Sequence, residues 1–142
     1  MYNQFLLCAL VFGVLLAPSC LAQNVPVSIV VSAGVNEDPT GVRVGRSLSD
    51  EIQLSATFYK WPGRVSGLPS NGVLIHVTSI DVRLQNGEDL GSAIVVRADR
   101  PSAVDPDYYK FLSEQAWMIL KDASVTDLIR SFLAEVDRQM AR

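Results

Sequence analysis

The sequence predicts an α+β domain, a small sheet packed by helices, and three observations carry that reading. A run rich in β-branched residues begins at Val25. Apolar residues recur at three- and four-residue spacing in two separate stretches, from Val44 to Tyr59 and from Val125 to Met140. Two strand-like runs flank an Asn86-Gly87 turn signal. Strand period and helix period in one short chain imply a sheet packed by helices.

The first strand is expected over Val25 to Ala33, with Pro26 near its start and Gly34 at its end. Asp38-Pro39 then reads as a helix start, Asp as cap and Pro in the first turn. Val44, Leu48, Ile52, Ser55 and Tyr59 share one helical face, so a helix is predicted from about Thr40 to Thr57 despite Gly41 and Gly45. Trp61-Pro62-Gly63 breaks the chain, and residues 62–72 hold three Gly and two Pro, a loop composition. Val73 to Leu84 and Ser92 to Ala98 form the predicted hairpin. Val73, Ile75 and Val77 fall on one face, and Leu74, His76, Thr78, Ile80 and Val82 on the other. Apolar residues on both faces predict a central strand covered in part on each side.

Tyr108 to Leu120 fits two periods. As a helix it starts at Asp105-Pro106 and aligns Tyr108, Phe111, Leu112, Gln115, Ala116 and Ile119. As a strand it alternates Phe111, Ser113, Gln115, Trp117 and Ile119 against Leu112, Glu114, Ala116, Met118 and Leu120. The last element has one reading: with Ser124 as cap and Asp127 three residues on, Val125, Leu128, Ile129, Phe132, Leu133, Val136 and Met140 form an apolar stripe. Its polar face mixes Asp127, Arg130, Glu135, Asp137 and Arg138, which suits a core helix rather than a basic membrane-surface one.

Ahead of all this lies an apolar run from Phe5 to Ala17, closed by Pro18-Ser19-Cys20-Leu21-Ala22 and Gln23. It is shorter than the roughly 20 residues a transmembrane helix needs, and the small residues after Pro18 suit signal-peptidase cleavage after Ala22. Residues 1–22 are therefore expected to be a signal peptide and 23–142 a single α+β domain. Met1-Tyr2-Asn3-Gln4 carries no Lys or Arg, so an uncleaved anchor is one alternative. A lipid-anchored form attached at Cys20 is another, although such signals usually carry Leu, Val or Ile where this chain has Ala17.

Removal of residues 1–22 would take both cysteines and no charged side chain. The 12 Lys plus Arg and 15 Asp plus Glu all lie downstream, and the mature domain keeps the net charge of −3. A cysteine-free domain of this size depends on its apolar core, with no disulfide, thiol nucleophile or thiolate metal ligand. Mild acidity without a basic run argues against a nucleic-acid partner. No second long apolar segment follows, so no transmembrane segment is expected after cleavage.

Val44-Gly45, Asp50-Glu51-Ile52, Ser55 and Phe58, then Val73-Leu74-Ile75-His76-Val77-Thr78-Ser79-Ile80-Asp81, and finally Leu133-Ala134-Glu135-Val136-Asp137-Arg138-Gln139, resemble a group of small exported bacterial proteins of unassigned activity. The resemblance implies that the segment before the last helix is a strand. The fold then becomes a sheet of about four strands packed by two helices, in the order β-α-β-β-β-α, with a third helix at 108–120 as the alternative. More remotely the order is similar to small α+β modules of envelope-assembly and secretion proteins, which bind other proteins. The Trp61-Pro62-Gly63 loop and Trp117-Met118 depart from the group's pattern, and no catalytic residue carries over.

Catalytic chemistry finds little footing. His76 is the only histidine, and no Gly-x-Ser-x-Gly elbow accompanies it, so a half-buried, hydrogen-bonded strand histidine is expected. One His without Cys cannot supply a zinc site. Asn36-Glu37-Asp38, and Asp99 with Asp105 and Asp107, lack calcium-loop spacing and read as a helix cap and a solvated loop. Gly41 to Ser47 lacks the Gly-Lys-Ser/Thr ending of a phosphate loop; its glycines suit close helix packing. No catalytic, cofactor-binding or metal residue is assigned, and no cofactor is expected. Trp117 is expected in the core.

Two functions remain. The first is a non-enzymatic exported module, periplasmic or secreted, that binds an unknown envelope or extracellular protein through a sheet edge or the 61–72 loop. Its expected surface residues are Trp61, Pro62, Arg64, Tyr108 and Tyr109. The second is a small hydrolase working through Asp99, Asp105 and Asp107, which requires two of these acids in one cleft.

Overall fold

The computed structural model of the chain describes residues 24–32, 38–105 and 107–142. The predicted signal segment, Cys20, Gln23, Asn36, Glu37 and Pro106 lie outside the described residues. The elements run β1 (Val25–Val31), α1 (Pro39–Leu54), β2 (Phe58–Lys60), β3 (Val73–Arg83), β4 (Asp89–Pro101), β5 (Tyr109–Leu120) and α2 (Thr126–Met140). One five-stranded sheet has the order β2-β1-β3-β4-β5. β1 pairs parallel with β2 and β3, and β3, β4 and β5 form an antiparallel meander. The α+β class stands, with one strand more than expected.

Both helices lie on one side of the sheet. Val27, Val73, Ile75, Val77, Ile94 and Val96 meet Val44, Leu48 and Ile52 of α1 and Ile129, Phe132 and Val136 of α2 in a single core. At roughly 25 cal/mol per Å² of apolar surface removed from water, this layer is what holds a disulfide-free domain together. Trp117 reaches the same core and meets Phe132 edge to face, ring centroids 6.2 Å apart. A Cβ on Gly45 would lie 3.3 Å from Val31, so the glycine lets α1 approach β1 closely, as its position suggested.

Four local expectations change. First, α1 stops at Leu54 rather than about Thr57, because the Ser55 hydroxyl accepts the amides of Thr57 and Phe58 at 3.1 Å each and turns the chain out of the helix. Tyr59 consequently sits in β2 and not on the helix face. Second, the alternative third helix at 108–120 is replaced by β5, whose residues from Tyr109 to Leu120 pair along β4. A long neighbouring edge offers more backbone hydrogen bonds than the local helical period can outweigh. Third, Val125, not Ser124, occupies the cap position of α2, and no side chain caps it; Val125 is buried, so packing fixes this end. Fourth, β4 extends on both sides of the expected Ser92 to Ala98.

Candidate functional site

The side of the sheet away from the helices is only half covered. Side chains alternate across each strand, and the pairing register aligns them in rows over β3, β4 and β5. From one end to the other these are Leu74–Asp99–Phe111, His76–Arg97–Glu114, Thr78–Val95–Ala116, Ile80–Ala93–Met118 and Val82–Gly91–Leu120. The first row lies under the loop that follows β2: Val65 lines a cleft of about 550 Å³ with Leu74, His76, Arg97, Asp99 and Tyr109. The third and fourth rows form a shallow apolar dish of about 330 Å³. Ile80 is 67% exposed, Met118 54% and Val95 38%, and Leu120 beyond them is 54% exposed. Adjacent large apolar side chains left in water on one sheet face carry an unspent hydrophobic driving force.

A charged row separates the dish from the loop. Asp99 is buried, and its carboxylate accepts three hydrogen bonds from Arg97, at 2.9 to 3.1 Å. That hydrogen bonding first, and the Coulomb attraction second, raise the Arg97 pKa above its ordinary value. The guanidinium also lies 5.5 Å from the centre of the Phe111 ring. His76 Nε2 stands 4.0 Å from Asp99 Oδ2, so the expected hydrogen-bonded histidine is half-buried and near a carboxylate but not bonded to it. With its lone pairs turned to Arg97, Asp99 is poorly placed to take a proton from a substrate.

The residues expected to form an interaction surface fall in different places. Trp61, Gly63, Arg64 and Val65 line a cleft beside the edge of β1, and the Trp61 indole donates to the Arg64 carbonyl at 3.1 Å. Pro62 is exposed in the same loop. Tyr109 lines the Asp99 cleft, while Tyr108 faces a third cleft beside Arg100 and Lys110. The 61–72 loop joins the three, contributing Val65 to the second and Ser70 to the third. Asp99, Asp105 and Asp107 are not brought together: Asp99 faces Arg97, whereas Asp105 and Asp107 are exposed in the turn before β5, the Asp107 amide donating to Asp105 Oδ1 at 3.0 Å. Among the described residues no three His, Cys, Asp or Glu side chains are grouped to hold a metal ion.

Ile80, Val95, Met118 and Leu120 were not singled out from the sequence. The signal existed in the alternation of β3, but apolar residues on both faces pointed to cover on both, and the row that joins Ile80 to Met118 depends on pairing.

No protein-family model and no curated protein matches the chain. Among solved structures the chain is similar to a dodecamer of a PelC point variant from Paraburkholderia phytofirmans, with 10% identity, 84% of this chain and 87% of that chain covered, and a TM-score of 0.44.

Proposed function

We propose that this chain is a non-enzymatic exported module that binds an envelope or extracellular protein, and that the uncovered half of its sheet is the binding face. The observation that supports this is the exposed apolar pair of rows containing Ile80, Val95 and Met118, bounded by the charged row His76–Arg97–Glu114. An apolar centre with a polar rim is the usual anatomy of a protein interface. The loop residues Trp61, Pro62 and Arg64, with Tyr109 beyond the charged row, extend the proposed surface toward the edge of β1. Export is supported by the apolar run Phe5 to Ala17 and the small residues around Ala22. Among the described residues no helix is long and apolar enough to cross a membrane.

The test is affinity capture from envelope extract with the exported product, whose intact mass should correspond to a start at Gln23. Ile80→Asp should reduce partner recovery at least tenfold while the thermal unfolding midpoint stays within a few degrees, because Ile80 is already exposed. Recovery that does not change in Ile80→Asp, or a product retaining residues 1–22, would contradict the corresponding half of the proposal.

A further inference from the structure

Arg100 and Lys110 stand directly opposite one another in the β4–β5 ladder. Like charges facing each other across an antiparallel pair oppose the pairing that holds them. Among the described residues neither forms an ion pair with a carboxylate. Both line a cleft of about 460 Å³, together with Ser70, Ser102 and Tyr108. Arg100 Nε donates to the Ser70 carbonyl at 3.0 Å, which steadies the guanidinium and leaves its two terminal nitrogens for another acceptor. Ser102 Oγ accepts the amides of Val104 at 3.2 Å and Asp105 at 3.3 Å, so its own hydroxyl hydrogen remains to be donated. The nearby Asp105 carboxylate already accepts the Asp107 amide and neutralises neither cation.

We propose that this cleft binds an oxyanion, the carboxylate or phosphate group of a ligand, between the Arg100 guanidinium and the Lys110 ammonium, with the Ser102 hydroxyl as a third donor. A guanidinium fork matches paired oxygens, and an ammonium supplies a point charge beside it. The bound anion would also offset the repulsion between the two opposed cations. The site is separate from the apolar dish, so each can fail without the other.

Inorganic phosphate and acetate, titrated separately into the purified protein at constant ionic strength against chloride, distinguish the two sources by amide chemical shifts. Saturable shifts confined to Ser102, Tyr108, Lys110 and their neighbours are expected, and the tighter of the two anions identifies the group carried by the ligand. Lys110→Gln should weaken that binding at least tenfold; its side chain is exposed, so folding is retained and a circular dichroism melt verifies it. Arg100→Gln should weaken it similarly. Absence of saturable shifts with both anions, or unchanged affinity in Lys110→Gln, overturns the proposal.

Discussion

Asp38 combines two duties in one carboxylate. It caps α1, with Oδ1 accepting the Thr40 amide at 3.0 Å, and it ties that helix to β4 by accepting the Ser92 hydroxyl at 2.7 Å. Burial alone would push its pKa up, but the bonds from Ser92 and Thr40, with the Gly41 amide close by, outweigh it and the pKa is lowered. Ser79 is near enough to lower it further, although Ser79 Oγ and Asp38 Oδ2 do not meet hydrogen-bond geometry and neither has a hydrogen-bond partner among the described residues. A lowered folded pKa contributes stability in full above the unfolded value of about 3.9, and that stability is lost as pH falls through the folded value. Asp38→Ala should cost about 1–3 kcal/mol at neutral pH in urea unfolding. Asp38→Asn should lose less stability than the wild type between neutral pH and the acid limb. Parallel pH profiles for the two proteins would show that the charge contributes nothing. The cap itself was legible in Asp38-Pro39, a local signal; the Ser92 bond was not, because it joins residues far apart in the chain.

Among the elements, the end of the β3–β4 hairpin depends on a single glycine. The register slips between Val82 and Arg83, with Leu90 as the additional residue, and Gly91 takes φ +139° beside it. A Cβ there would lie 2.1 Å from the Ile119 carbonyl oxygen of β5. Gly91→Ala should therefore destabilise by about 2–3 kcal/mol, since both the backbone conformation and the space are denied. Gly87→Ala, at φ +84° with nothing within 4 Å, serves as the milder comparison and should cost about 1 kcal/mol. Equal shifts in the urea midpoint for the two variants would mean that the contact with β5 is relieved by local movement. Elements with a strong period, α1 and α2, could be read along the chain. β2 could not, because three residues carry no period and are a strand only through Val25, Pro26 and Val27 beside them. Tyr108 to Leu120 satisfies both periods, and the edge of β4 decides between them. The apolar rows were illegible for the same reason, since Ile80, Ala93 and Met118 come from three strands.

At the scale of the whole molecule, β3 is the hinge between two kinds of pairing: local and antiparallel toward β4 and β5, distant and parallel toward β1. The tight turn from Leu84 to Glu88 closes the β3–β4 pair, whereas Val27 must meet Val73 across all of α1, β2 and the following loop. Loop-closure entropy grows with the intervening length, so the meander has the lower barrier to assembly and β1 enters last. Pulse-labelled amide exchange should protect Ile94 and Val96 before Val27 and Ile29, and simultaneous protection would refute that order. Under the proposed export, amino terminus first, β1 would emerge before its partners. The strand richest in β-branched residues would then meet only the three residues of β2 until Val73 to Val77 emerge, and for that interval most of its backbone groups would lack a strand partner.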